Sequence, residues 1–365
     1  MLLVQLYQVA VSSPSRRVHA GVRAAVYYLN MYFFHDALVN YALEVFPSYL
    51  DSGNDDAFFG LFVPGNTRFF AERPFERFSD YQELLEKLME RYPEKYRRAH
   101  KGTPFYFLSW LAFDLQNYEK ALFYIDAAIS EDVRNNPNPP DSPAGWKTQP
   151  GARFLLLDPV GQAAERTVLA VKDLLQHELR RFNSISHQQV LDIDTSWRSF
   201  VRNLLVDLDQ RTVISALYVF VLECSDRQRE LRLREGSLGG SNQPFTVHLF
   251  TGGLIFESLL KRYYPTNDDG RRNSTLGEIL HTQQFLRDFS LAQPPNTSAS
   301  SLEEIHDAIQ GSVSVQTAFS TAAKLRNTTG HNLVWDNVFS APTKYVDLFQ
   351  QVMNALLFVI ARKVE

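Results

Sequence analysis

The sequence predicts an all-α protein, and three observations support this class. Along most of the 365 residues, apolar side chains recur three and four positions apart, which is the periodicity of helices with one buried face. Runs that alternate apolar and polar residues, as half-buried strands do, are scarce. The sequence also lacks the strand, glycine-rich turn and helix that open a nucleotide-binding α/β domain.

The composition is that of a folded globular protein. Hydrophobic residues make up 45% and charged residues 21%, which is enough apolar surface for a large core and excludes disorder throughout. The net charge of -4 gives no positive field over the whole surface, so a polyanion-binding site has to be local. The single cysteine, Cys224, cannot form an internal disulfide or a zinc site of thiolates. With no convincing signal peptide or membrane span, we expect a cytoplasmic protein that does not bind membranes.

The first part of the chain is predicted to be helical with one irregular stretch. Helical periodicity covers residues 18–49 with a break, and residues 58–78 are rich in Phe, Gly and Pro. Ser79 and Gln82 have the spacing of a capping box, so we expect a helix to begin there and to continue toward Arg91.

Residues 102–135 are predicted to form a helical hairpin. Thr103 followed by Pro104 reads as an N-cap with proline at the first helical position, and Gln116-Asn117 marks a tight turn between two helices. The segment resembles one tetratricopeptide repeat, although the usual turn glycine and closing proline are missing. Any close-packed antiparallel hairpin would also favour its small and apolar residues. These residues are Leu108, Ser109, Ala112, Leu115, Tyr118, Ala121, Ile125 and Ala128.

A proline-rich stretch at 135–151 cannot be regular helix, and we expect a domain boundary there. The predicted domains are residues 1–150, a tetratricopeptide-like sensing or interaction region, and residues 151–365, a helical bundle. Within the second domain, glycine- and proline-containing loops separate the helices. Ser301 and Glu304 form another capping-box pattern. The predicted helices of this domain cover 163–182, 195–208, 210–235, 245–263, 275–289, 301–310, 316–325 and 345–363.

The sequence lacks the common catalytic motifs but contains one group of polar residues that suits catalysis. The chain has no phosphate-loop lysine motif, HExxH, GxSxG or cysteine pair, which disfavours the hydrolase classes that use them. Its other histidines are scattered without metal-ligand spacing, so we expect neither a metal nor a cofactor. Residues 324–336, KLRNTTGHNLVWD, place Arg326, Asn327 and His331 together near a helix end. Of the Arg residues that precede a His at this kind of spacing, only Arg326 is followed by a small polar residue.

This arrangement resembles the R-x4-6-H motif of HEPN-domain ribonucleases, in which the residue after Arg is commonly polar. The setting is similar as well, since a helical bundle carries the motif near its C-terminus with one more long helix after it. The resemblance covers at most residues 163–365. It implies an endoribonuclease that cuts single-stranded RNA without metal, and a homodimer whose paired motifs form one composite cleft. It also implies a role in toxin or antiphage systems, with a regulatory protein or antitoxin as a partner.

The residue types suit this chemistry. When the 2′-hydroxyl of RNA attacks the neighbouring phosphate, the cleaved strand ends in a 2′,3′-cyclic phosphate. This reaction needs a base, an acid and cationic donors around the phosphorane. A histidine such as His331 can serve as the base or the acid near neutral pH, and Arg326 offers a planar fork to phosphate oxygens. Asn327 would either position a ligand oxygen or fix the orientation of His331. Thr328, Thr329 and Gly330 would let backbone amides approach the phosphate.

Trp335 is the remaining predicted substrate-binding residue, because an aromatic ring can stack on an unpaired base. Packing in a core is the alternative for Trp335. For Arg326 and Asn327 the alternative is a structural helix C-terminus, where a cation and an amide meet free carbonyls while His331 starts the next helix. The alternative function is a non-enzymatic adaptor, or a protein that binds RNA without cutting it, that dimerises through the C-terminal bundle.

Overall fold

The computed structural model describes residues 35–62, 74–135, 149–158, 162–186, 190–205, 207–235, 241–309, 313–329 and 342–364. Over these residues the all-α prediction is confirmed. They form sixteen α-helices and one π-helical turn, and the one β-type pairing among them is an isolated bridge between Thr266 and Arg272. The same residues contain no helix with the combined length and apolarity to cross a membrane.

The chain divides into two compact units, Met1–Thr167 and Val168–Glu365. The sequence placed the boundary at 150/151 because of the proline-rich stretch, whose residues 136–148 lie outside the described part. Residues after 150 instead pack within the first unit. The Phe154 ring stacks on Phe113 with 5.2 Å between centroids, and Gly151 approaches Ile129 so closely that a Cβ there would lie 2.9 Å from its side chain.

The first unit is a succession of helices, and within 35–62 and 74–135 they follow one another after a few residues. In chain order these helices are α1 His35–Asp51, α2 Asp55–Phe62, α3 Pro74–Arg91, α4 Pro93–Arg98, α5 Gly102–Asp114, α6 Tyr118–Asn135, α7 Pro150–Leu155 and the start of α8 Gln162–Ser186.

The helix-turn-helix predicted for 102–135 is present as α5 and α6. The turn has no glycine, and Gln116 takes the left-handed conformation itself, with φ of 55°. Two predicted helix starts are wrong. Ser79 lies inside α3, which already begins at Pro74, and the N-cap position of α5 is Lys101, whose side chain makes no capping hydrogen bond, not Thr103. The backbone N–H of Lys101 donates to the Glu131 carboxylate, so a tertiary contact moves the start of α5.

A charged cluster joins α2 and α6 through His100, which lies between α4 and α5. The His100 ring lies between two carboxylates, with Nδ1 2.6 Å from Asp56 Oδ1 and Nε2 2.9 Å from Asp132 Oδ1. Burial alone would lower the pKa of His100, but the hydrogen bonds to Asp132 and Asp56, with their charges, raise it to about 10. His100 is therefore a cation at neutral pH that connects two helices through its ring.

The second unit contains the rest of α8, the π-helical turn Ile193–Trp197 and eight further helices within the described residues. These are α9 Arg198–Leu205, α10 Leu208–Leu233, α11 Gln243–Tyr263, α12 Leu276–Leu280, α13 Gln283–Asp288, α14 Leu302–Asp307, α15 Val315–Thr329 and α16 Pro342–Val364. The predicted single helix at 275–289 is split into α12 and α13, because Thr282 caps the second helix and directs the chain away from the first.

Helix α16 is the centre of this unit. The sequence predicted a helix over 345–363, and within it every residue from Gln351 to Ala361 is buried, as in a helix surrounded on all sides. Helices α10, α11 and α15 pack against it. Gly252 permits the close approach, since a Cβ at this position would lie 2.5 Å from Phe220 on α10 and 2.7 Å from Val352 on α16.

Candidate functional site

Four of the seven predicted site residues belong to the described part of the chain, and all four lie in the last turn of α15. They are Arg326, Asn327, Thr328 and Thr329. Gly330, His331 and Trp335 lie outside the described residues, so their predicted roles stay predictions.

Arg326 is held against α11 by a backbone contact without an intervening side chain. A Cβ at Gly253 would lie 2.8 Å from Arg326 Cβ and 3.0 Å from its Cα. A glycine is required at this point, since a larger residue would separate the helices. The close approach brings the Arg326 side chain alongside the next turn of α11.

An ion pair with a buried carboxylate orients the Arg326 guanidinium. Arg326 Nε donates to Glu257 Oε2 at 2.6 Å, and Glu257 is only 6% exposed while Arg326 is 33% exposed. The second oxygen, Glu257 Oε1, lies 2.8 Å from Lys261 Nζ one turn further along α11. A single carboxylate therefore meets two cations, which leaves a local charge of about +1 at the protein surface.

Asn327 fixes the guanidinium from its other side. Its Nδ2 donates to the Thr297 carbonyl at 3.1 Å, and this bond turns Oδ1 toward Arg326, whose Nη1 donates to it at 3.1 Å. Two of the three guanidinium nitrogens are thus engaged. Among the described residues Arg326 Nη2 has no hydrogen-bond partner, so this nitrogen can meet a ligand oxygen without breaking either contact.

The two threonines differ. Thr328 is half-buried, and its Oγ1 donates to the Ala299 carbonyl at 3.4 Å. Thr329 is 4% exposed, and its hydroxyl donates to the Leu325 carbonyl within the same helix. Thr329 thus makes the contact expected at a structural helix end, whereas the side chains of Arg326 and Asn327 leave the helix and bind other elements.

Sequence reasoning did not identify Glu257, Lys261 or Thr297 as part of this site. The spacing of Glu257 and Lys261, four residues apart on one helix, predicts a mutual ion pair but nothing more. Glu257 and Arg326 are separated by 69 residues. No local pattern connects them, because the helix packing alone brings them together.

Another polar group lies outside this site. His306 Nε2 is 3.2 Å from Asp347 Oδ2, and both residues line a cleft of about 490 Å³ together with Asp307, Ile309 and Gln351. The described residues include no group of three or more His, Cys, Asp and Glu side chains that could hold a metal ion.

Comparisons with known proteins return no relative. No family model, no curated protein and no solved structure matches the chain. The site is therefore characterised by its own geometry: a guanidinium in the last turn of α15 that is fixed on two sides and that no described residue contacts through its third nitrogen.

Proposed function

We propose that this protein is a HEPN-type endoribonuclease that cleaves single-stranded RNA without metal. The observation that carries the proposal is the state of Arg326. Its guanidinium is partly exposed and is fixed through Nε by Glu257 and through Nη1 by Asn327. A fixed cation with one N–H edge that no described residue occupies suits an anionic phosphorane, because no reorganisation is needed when charge develops.

In this proposal each residue has a defined role. Arg326 binds a non-bridging phosphate oxygen through Nη2, and Asn327 and Glu257 hold it in position. Lys261, whose side chain is 43% exposed, adds positive charge beside the same phosphate. His331 removes the proton of the 2′-hydroxyl or protonates the leaving 5′-oxygen, and the product has a 2′,3′-cyclic phosphate. A second His331 would come from a second copy, so the enzyme is proposed to be a homodimer with a composite cleft.

The first unit is proposed to be a tetratricopeptide-like region that senses a trigger or binds a regulatory protein or antitoxin. A cytoplasmic toxin or antiphage effector of this kind would stay inactive until triggered. The alternative function is an adaptor or RNA-binding protein without catalysis. The ion pair between Arg326 and Glu257 favours this alternative, because a pair that joins two helices can have a structural role without catalysis.

The test is incubation of the full-length protein with labelled single-stranded RNA in excess EDTA. We expect cleavage that leaves 2′,3′-cyclic phosphate ends and falls by at least about 100-fold in His331→Ala and Arg326→Ala. His177→Ala is the matched control, because His177 is exposed on α8, remote in sequence from the motif. Retained cleavage in either motif variant would refute the assignment. Binding without any product would support the non-catalytic alternative.

A further inference from the structure

The segment from Leu291 to Ser300, which we term the strap, lies along α15 and ends beside the candidate site. It contacts successive turns of the helix in the same direction as the chain of α15. The contacts are Gln316 Nε2 to the Pro294 carbonyl at 3.3 Å, the Asn296 N–H to Ser320 Oγ at 3.1 Å, Asn327 Nδ2 to the Thr297 carbonyl at 3.1 Å, and Thr328 Oγ1 to the Ala299 carbonyl at 3.4 Å.

The strap is ordered by its own local contacts. Pro294 and Pro295 restrict the backbone φ angles at its centre, and Pro295 is buried. Asn296 Oδ1 accepts the Ser298 N–H at 3.0 Å, which closes a turn around Thr297. This turn determines where the Thr297 carbonyl points, and that carbonyl is the acceptor for Asn327.

We propose that the strap is a positioning element for Arg326. The Thr297 carbonyl selects the amide orientation of Asn327, and the Asn327 oxygen then holds Nη1 of the guanidinium. Glu257 holds Nε from α11, so the plane of the guanidinium is defined from two different elements. Without the strap the Asn327 amide can rotate, and Arg326 keeps only its bond to Glu257. The catalytic meaning of this positioning rests on the proposed ribonuclease function.

Ser320 is the place to test the strap, because its hydroxyl anchors Asn296 and, within the described residues, takes no part in the hydrogen bonds that join Arg326, Asn327 and Glu257. Ser320→Ala removes that anchor, and Ser320→Thr retains the hydroxyl. Ser258→Ala is the matched control on α11, since Ser258 is exposed and its hydroxyl donates within its own helix, to the Leu254 carbonyl. Gln316→Ala removes a second anchor and replaces Ser320→Ala if that variant does not fold.

Two readouts separate the strap from the enzymatic function. The first is the ¹H–¹⁵N spectrum of the Arg326 guanidinium in the full-length protein, assigned with Arg326→Lys. In the original chain we expect separate Nη signals, since Asn327 and Glu257 restrict rotation within the guanidinium group. In Ser320→Ala we expect these signals to merge. The second is RNA cleavage, where we expect kcat to fall about tenfold with a smaller change in KM, because a loosened catalytic group affects the transition state most.

Ser320→Thr should restore both readouts, and Ser258→Ala should change neither. If the protein cuts no RNA at all, the ribonuclease proposal fails, while the guanidinium spectrum still decides the strap proposal. Nη signals that are the same in Ser320→Ala, Gln316→Ala and the original chain would overturn it. An equal change in Ser258→Ala would overturn it as well, since the effect would then be general.

Discussion

His248 lies in the core of the second unit with both ring nitrogens hydrogen-bonded. Nε2 is 2.8 Å from the Phe220 carbonyl, which can only accept, so Nε2 carries the proton. Nδ1 then accepts from the Tyr345 hydroxyl, also at 2.8 Å. The ring stacks on Phe220 with 4.4 Å between centroids. Burial, opposed only in part by the bond to Phe220, lowers the pKa of His248 to about 3.

A neutral buried histidine makes the second unit sensitive to acid. The unfolded chain takes up the proton near pH 6.5 and the folded protein only near pH 3, so the contribution to stability is complete above about pH 6.5 and is lost below it. As the pH falls from about 6.5 toward 3, we expect the free energy of unfolding to fall by up to about 1.4 kcal/mol per pH unit. Urea denaturation at a series of pH values measures this dependence. In His248→Gln the free energy of unfolding should change less with pH than in the original chain. The exposed His177→Gln is the control, and equal slopes in His248→Gln and the original chain would contradict this account.

At the scale of the elements, glycines decide how closely α11 approaches its neighbours. Gly252 faces α10 and α16, and Gly253 faces the backbone of Arg326 on α15. Both were within a predicted helix, where glycine is normally unfavourable compared with alanine. The packing explains their presence, because the helices could not otherwise come close enough for Glu257 to reach Arg326.

Gly253→Ala is therefore expected to destabilise the protein by about 1–3 kcal/mol, although alanine is the better helix former. The neighbouring atoms are backbone and Cβ of Arg326 and cannot move aside as a flexible side chain would. Gly60→Ala is the matched comparison, since nothing lies within 4 Å of a Cβ at this exposed helical position. It should be neutral or stabilising by up to about 1 kcal/mol. Thermal and urea unfolding measure both, and a stabilising Gly253→Ala would contradict the close packing.

The sequence predicted where helices occur better than it predicted the residues at which they begin and end. The Ser301 cap is confirmed, since its Oγ accepts the Glu304 N–H at 3.1 Å, but the Glu304 carboxylate accepts from Ser300, one residue earlier than a capping box requires. Thr275 and Glu278 form a complete capping box at the start of α12. Caps of this kind are local, whereas the start of α5 depends on Glu131, a residue of the following helix.

For the whole molecule, the two units respond to opposite ends of the pH range. His100 in the first unit has its pKa raised to about 10, so its contribution to stability is complete below about pH 6.5 and is lost as the pH rises through 10. His248 in the second unit loses its contribution toward acid. The carboxylates that face His100 are Asp56 and Asp132, and burial raises the pKa of Asp132 despite its bond to His100.

Hydrogen exchange of the full-length protein, corrected for the intrinsic pH dependence, should resolve this difference. Between pH 7 and 10 we expect peptides of α5 and α6 to lose protection while those of α10 and α11 retain it. In His100→Gln the loss in the first unit should already be present at pH 7, because the ring no longer joins Asp56 and Asp132. If both units lost protection in parallel, the charged cluster around His100 would not be what determines the pH dependence of the first unit.

The all-α class, the hairpin of α5 and α6 and the long helices of the second unit were predictable from the sequence alone, because apolar periodicity and turn residues act over a few positions. The sequence also singled out Arg326 and Asn327 as neighbours near a helix end. The tertiary structure alone decided their surroundings: Glu257 and Lys261 on α11 and Thr297 on the strap. These contacts join residues tens of positions apart, and they form only because glycines, buried aromatic rings and α16 determine how the helices pack.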